Sequence, residues 1–249
     1  MSFEISQSLL DLQERLLEAL SEFDRICTEV GCRYSLMCGT LLGAVRHKGF
    51  IPWDDDVDIV MYREDYDRFR EYCFTSATMG NTYLDEKDTW VPRIKIDNSK
   101  EVFVDIFILD KIAPDDKTQK RTLLKLKILQ GMMKKDIVYS RYNILNKIRI
   151  FATHVMGLPF TFDWKYKQYH SLAQKYNRMN TTRYYIADGA FSVISIVWDR
   201  SEFSDFIRVP FRSKEFMITK QYKSVLTKLY GPTYMQLPPE KDRIPKHSN

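Results

Sequence analysis

Gly39-Thr40-Leu41-Leu42-Gly43-Ala44-Val45-Arg46-His47-Lys48-Gly49-Phe50-Ile51-Pro52-Trp53-Asp54-Asp55-Asp56-Val57-Asp58-Ile59 sets a glycine-punctuated turn with three basic residues directly ahead of a dense run of carboxylates. Asp54, Asp55, Asp56 and Asp58 repel one another, so a fold that holds them together needs cations nearby. From Val57 to Met61 the chain alternates like a strand, with Asp56 and Asp58 on one face and Val57 and Ile59 pointing into a core. Two carboxylates on one strand face, next to a phosphate-sized basic turn, point to Mg²⁺-dependent phosphoryl chemistry. A bare Asp-Asp-Asp also reads as a solvated loop; the apolar strand after it and the glycine turn before it favour the site.

A second clue lies at Val102-Phe103-Val104-Asp105-Ile106-Phe107-Ile108-Leu109-Asp110. An aspartate in the middle of so apolar a strand is costly unless it is paired, hydrogen-bonded or bound to a cation. Pairing with an arginine is one solution. The other is a third carboxylate, delivered to the cation by a neighbouring strand. Asp56, Asp58 and Asp105 would then recreate the three-carboxylate arrangement of polymerase-like nucleotidyl transfer sites, as metal ligands and catalytic groups at once. Gly39 lets backbone amides approach a phosphate closely, and Thr40 adds a hydroxyl donor at a helix start. Arg46, His47 and Lys48 can neutralise a diphosphate, with Arg46 preferred for direct contact because its planar fork matches phosphate. The plainer alternative is a capped helix with surface basic residues, His47 above all. Arg93 and Lys95 share one strand face and point toward the same pocket.

Outward from this centre, Leu9, Leu12, Leu16, Leu20, Phe23, Cys27 and Val30 recur at helical spacing, predicting one amphipathic helix stopped by Gly31. A short buried strand is expected over 34–37, a helix from Thr40 through Val45, and a helix over 64–73. Strands follow at 82–84, 91–96 and 101–109. Residues 1–112 thus read as a catalytic core built on a mixed sheet with flanking helices, and 113–249 as a helical and strand-rich portion completing the site. The segment 114–149 is rich in lysine and arginine and fits two basic helices, either as solvated faces or as a surface drawn to anionic groups. A helix over 164–178, strands within 183–218, and a last helix over 220–230 closed by Gly231-Pro232 complete the prediction. The fold class is α+β.

Composition sets the outer bounds. With 249 residues, 44% of them hydrophobic, the chain can bury a full core. A net charge of +5 is not that of a nucleic-acid-binding protein, so any electrostatic message is local. The four cysteines, Cys27, Cys32, Cys38 and Cys73, form no Cys-x-x-Cys pair and read as reduced, buried thiols. The first residues lack the basic and apolar regions of a signal peptide, and no apolar run approaches a membrane span, which predicts a cytoplasmic protein.

The quoted residues 39–59 closely resemble the signature of the LicD family, bacterial cholinephosphotransferases related to the fukutin-type ribitol-phosphate transferases and to the nucleotidyltransferase superfold. Arg63-Glu64-Asp65-Tyr66, Val104-Asp105-Ile106-Phe107 with Leu109-Asp110, and Tyr230-Gly231 leading to Leu237-Pro238-Pro239-Glu240 and Arg243 agree in order. Cys38 stands where the family usually has a glycine, and Ile108 where it has a proline. The resemblance implies a nucleotidyltransferase-like sheet and transfer of a substituted phosphate from a CDP-linked donor to a hydroxyl of a glycan or lipid-linked glycan, with release of CMP. Phosphocholine from CDP-choline is the leading donor group.

Carried over by position, Asp56 and Asp58 would hold Mg²⁺, with Mn²⁺ as the alternative ion. Asp105 would be a third ligand or the base that takes the acceptor's proton, and Gly39, Thr40 and Arg46 would hold the diphosphate. A choline head group calls for aromatic faces, for which Trp53, Trp90 and Trp198 are candidates. The expected setting is modification of a cell-surface glycan such as teichoic acid or lipopolysaccharide, with peripheral contact at the inner membrane face. Two other readings compete: nucleotidyl transfer from an NTP with release of pyrophosphate, and a non-catalytic protein whose basic helices hold an anionic polymer.

Overall fold

The apolar stripe near the N-terminus forms α1 (Gln7–Val30) in the computed structural model, which describes residues 6–76, 79–86, 91–96, 99, 101–133, 144–188 and 193–245. Ser6 caps it by accepting the Leu9 amide, and Gly31 ends it at φ 71, a left-handed conformation that glycine adopts without penalty. Leu16, Leu20, Phe23 and Cys27 are buried, as their spacing predicts. So is Gln13, on the same face.

Five strands follow: β1 (Ser35–Leu36), β2 (Asp58–Tyr62), β3 (Thr82–Asp85), β4 (Arg93–Ile96) and β5 (Phe103–Lys111). Their order in the sheet is β1-β2-β5-β4-β3. β2 and β5 run parallel, and the β1–β2, β4–β5 and β3–β4 pairs are antiparallel, so the sheet is mixed. The register sets Asp58 opposite Asp105, Asp105 opposite Arg93, and Arg93 opposite Asp85, one charged row across four strands. Around that row Ile59, Val60, Ile94, Val104 and Ile106 are almost fully buried. α2 (Cys38–His47) precedes β2, and α3 (Arg63–Thr75) follows it and packs on α1.

Two compact units divide the chain: residues 1–109 with 199–249, and residues 110–198. The C-terminal part of the first unit is the hairpin β8 (Phe206–Phe211) and β9 (Lys214–Thr219), then α7 (Tyr222–Tyr230). β9 joins β1 through the Thr219 amide, which donates to Ser35 Oγ at 2.9 Å. Phe50 and Phe211 meet edge to face, with ring centroids 4.9 Å apart. The last helix carries Val225 and Leu226 into the core and ends at Gly231.

In the second unit α4 (Asp116–Met133) packs against both α5 (Ile144–Gly157) and α6 (Phe162–Ala173). β6 (Arg183–Ile186) connects to the end of β5 through the Ile112 amide and the Arg183 carbonyl, and β7 (Trp198–Asp199) lies at the unit's end. The architecture is the expected α+β class with a basic helical portion.

Three elements differ from their sequence reading. The strand expected over 34–37 is only two residues long. The helix expected from Thr40 begins at Cys38. The helix expected over 164–178 is α6, which starts two residues earlier and ends at Ala173. Trp90, and Lys134, Lys135 and Arg141 of the basic stretch, lie outside the described residues.

Candidate active site

Asp58 opens β2 and is clamped by the start of α2. Its amide donates to Thr40 Oγ1 at 2.9 Å, and its carbonyl accepts the Met37 amide at 2.9 Å. Burial pushes the Asp58 carboxyl well above the usual carboxylate range, and the neighbouring charges of Asp56, Asp105 and Asp54 push it further. A hydrogen bond with Cys38 works the other way. The Cys38 thiol is itself raised, first by burial and then by Asp58 and Asp56. Cys38 has φ 47, so a residue with a side chain occupies the left-handed position where a glycine would sit without strain.

Asp105 is reached from the other side. Arg93 donates to it through Nε at 2.5 Å and Nη2 at 3.3 Å, while its guanidinium lies 3.8 Å from the Phe103 ring centroid. The arginine pairing and the delivery of a carboxylate to the cluster, which read as alternatives from sequence, occur together at this residue. Lys95, on the same strand face, pairs with Asp85 at 2.5 Å.

The turn residues take more varied places. A Cβ at Gly39 would come within 2.8 Å of Asp54 Oδ2, so this glycine makes room for a carboxylate at the start of α2. Gly43 is required by packing, since a Cβ there would stand 2.4 Å from the Gly49 carbonyl oxygen. Thr40 is fully buried, and its hydroxyl straps helix to strand.

Arg46 donates from Nε to His47 Nε2 at 2.9 Å, and from Nη1 to the carbonyls of Tyr234 at 3.2 Å and Gln236 at 3.1 Å. Burial, followed by the Arg46 charge, holds the His47 pKa below its ordinary value, which favours the neutral ring as acceptor. Lys48 ends α2 in the left-handed region, and its carbonyl accepts the Arg212 amide at 2.7 Å. Trp53 lies under the Arg243 guanidinium, 5.8 Å from its ring centroid. Trp198 is fully buried, its faces taken by packing.

Tyr230, read from sequence as a helix end and as part of the C-terminal family match, feels the charge of this site. Its hydroxyl pKa is raised, first by burial and then by the charges of Cys38, Asp58, Asp54 and Asp56. The signal available was the Tyr-Gly pair at the close of the last helix, a position that hands a hydroxyl to whatever the helix end faces. Gln13 is the other omission. Its side-chain amide donates to the Asp54 carbonyl at 2.9 Å and fixes the acidic loop from α1. In an amphipathic stripe it looks like one polar interruption.

Among the described residues, no three His, Cys, Asp or Glu side chains converge into a cage that would hold a metal by protein atoms alone. The donor set fits a different arrangement, in which Mg²⁺ keeps its waters and takes one or two carboxylates plus substrate phosphates. Asp58, buried beside Asp56 and Asp105, supports that fit, because like charges in so dry a place are relieved by a cation or a proton.

A mixed sheet with carboxylates in register on two parallel strands, beside a glycine turn and a helix start, defines a nucleotidyltransferase-type catalytic fold. The family model described as LicD/FKTN/FKRP, nucleotidyltransferase domain, matches residues 31–142. The lipopolysaccharide cholinephosphotransferase LicD of Haemophilus influenzae is 30% identical over 275 residues, which covers 96% of each chain. Ribitol 5-phosphate transferase FKRP of Homo sapiens is 51% identical over 53 residues, 20% of this chain and 11% of that protein. The uncharacterized protein RP689 of Rickettsia prowazekii is 32% identical over 96 residues, 39% of this chain and 34% of that one. The chain belongs to the LicD family.

Proposed function

We propose that this protein transfers a substituted phosphate, phosphocholine from CDP-choline first among the candidates, to a hydroxyl of a cell-surface glycan or its lipid-linked precursor. Family membership supports a transferase of phosphate-linked groups acting on glycans; the donor, the ion and the residue roles are our reading. The observation that carries it is the register of Asp58 against Asp105 beside the Gly39 turn, in a chain alignable over 96% of its length with a cholinephosphotransferase.

In this reading the acceptor oxygen attacks the phosphorus that bears the transferred group. A new O–P bond forms, the diphosphate P–O bond breaks, and CMP leaves with the bonding electrons. Asp56 and Asp58 would hold the cation, and Asp105 would take the acceptor's proton. Bound Mg²⁺, or Mn²⁺ in its place, supplies charge neutralisation on the diphosphate. Arg93 keeps the Asp105 carboxylate in one orientation through two donors. The Tyr230 hydroxyl, which feels the charges of Asp58, Asp54 and Asp56, would donate to an oxygen whose charge grows during the transfer.

The test is purified protein with Mg²⁺, a panel of CDP-linked donors, the four NTPs and a mixed glycan acceptor pool, followed by phosphorus NMR. CMP released with one donor establishes phosphotransfer and names the group. Pyrophosphate released from an NTP overturns the reading in favour of nucleotidyl transfer. Asp56→Asn and Asp58→Asn should each lose about 10²-fold or more in turnover while remaining folded; near-normal rates in either would remove that residue from the chemistry.

A further inference from the structure

α5 presents an apolar face that its own unit leaves uncovered. Ile144, Ile148, Phe151 and Val155 recur at helical spacing and are 77%, 60%, 60% and 45% exposed. The chain continues the patch through Met156, Leu158 and Phe160, and then into the first turn of α6 with Phe162 and Trp164, all of them exposed. Phe160 and Trp164 stack on each other, with centroids 4.3 Å apart and planes 17° from parallel. Burying large side chains is worth about 1.5–3 kcal/mol each, so a contiguous set left in water marks a surface with an occupant.

The opposite face of α5 is committed. A Cβ at Gly131 of α4 would meet Thr153 Oγ1 at 2.3 Å, and one at Gly157 would meet Met132 at 2.9 Å. Two glycines therefore let α4 and α5 lie in close contact along that side. Lys165 Nζ then ties α6 to the same seam by donating to the carbonyls of Met132 at 3.2 Å and Gly157 at 3.3 Å. The outward stripe cannot turn inward without undoing these contacts.

Charge identifies the occupant. Residues 110–198 carry 16 Lys and Arg against 6 Asp and no Glu, a net of +10, so the rest of the chain stands at −5 within the total of +5. Among the described residues, Lys117, Lys120, Arg121 and Lys125 are exposed on α4, Arg149 on α5 and Lys167 on α6. α5 is 14 residues long, and no helix among the described residues is long and apolar enough to cross a membrane. An apolar stripe with aromatic residues at one end, set in a strongly cationic unit, is the composition of a helix that lies in a lipid–water interface.

We propose that the α5 face and the Phe160–Trp164 corner dock this protein on an anionic lipid bilayer. The apolar stripe enters the headgroup–acyl boundary while the lysines and arginines of the unit meet the lipid phosphates. The inference stands apart from the assigned chemistry, because it uses no residue of the acidic cluster.

The experiment is co-sedimentation of the full-length protein with phosphatidylcholine vesicles and with vesicles that also contain phosphatidylglycerol. We expect binding to the anionic vesicles, weakened by salt, and about tenfold or more weaker binding to phosphatidylcholine alone. The double variant Ile148→Asp, Phe151→Asp should lose about tenfold or more of the anionic-vesicle binding and keep the parent's circular dichroism. Both side chains are exposed, so folding is not at stake. The conservative variant Ile148→Leu, Phe151→Leu should retain binding. Absence of vesicle binding, equal binding to both vesicle types, or full binding by the aspartate variant would overturn the proposal. So would a dimer in sedimentation velocity that the aspartate variant dissolves, which would assign the face to a second copy. CMP release from a soluble donor, followed in parallel, reports on the chemistry separately and need not change in the aspartate variant.

Discussion

Cys38 shows how closely single residues are tuned around the acidic cluster. Its φ of 47 costs a non-glycine residue about 1–2 kcal/mol, partly offset by the thiol's hydrogen bond with Asp58. Cys38→Gly should therefore raise stability by about 0.5–1 kcal/mol, read as a higher denaturation midpoint at unchanged denaturant slope. A lower midpoint would mean that the thiol contact outweighs the backbone strain. Tyr230 makes the complementary case. Tyr230→Phe removes a hydroxyl that feels the charges of Asp58, Asp54 and Asp56 and should lower kcat about tenfold or more with the fold intact. An unchanged kcat would reduce the hydroxyl to a structural contact. The carboxylates themselves were legible because aspartate inside an apolar strand has few structural excuses. The Cys38 strain and the Tyr230 hydroxyl were not, since a backbone angle and a neighbour more than 170 positions away leave no local mark.

At the scale of elements, α3 and the end of β3 are joined by one carboxylate. Glu86 accepts from Tyr66 OH at 2.6 Å and from Arg70 Nε at 2.8 Å. Burial works to raise its pKa, but the hydrogen bonds from Arg70 and Tyr66 win and hold it below the ordinary glutamate value. With the folded pKa depressed, the unfolded chain binds protons more readily as pH falls. The contribution is therefore present above the unfolded value near pH 4.5 and is lost as pH drops through the folded one. Glu86→Gln should cost about 1 kcal/mol at neutral pH, the pair being partly exposed, and progressively less below pH 4.5. A cost independent of pH would assign the effect to packing. The helices and strands were readable where periodicity was long, as in α1. β1 was overestimated because a buried apolar run looks the same whether two of its residues pair or four.

For the whole molecule, the decisive feature is the return of residues 199–249 to the first unit. The hairpin supplies Phe211 and Phe216 to its core, α7 supplies Val225 and Leu226, and the carbonyls of Tyr234 and Gln236 receive Arg46. A chain ending at Trp198 would take the Phe211 ring from Phe50 and the Thr219 amide from Ser35 of β1, with a loss of several buried aromatic and aliphatic side chains at about 2–5 kcal/mol each. Such a truncation should fail to give a cooperative melt by circular dichroism. A cooperative melt near the parent midpoint would show that the N-terminal sheet closes its own core. By itself the sequence determined the family, the mixed sheet and the identity of the clustered aspartates, because those are written in short-range pattern: alternation, glycine placement and charge density along one strand. Only the tertiary structure decided that Arg93 and Asp58 flank Asp105, that Arg46 is engaged by the C-terminal segment, and that α5 keeps its apolar face outward. Each of these is a distance between residues far apart in the chain, set by strand register and helix packing, and no local periodicity encodes it.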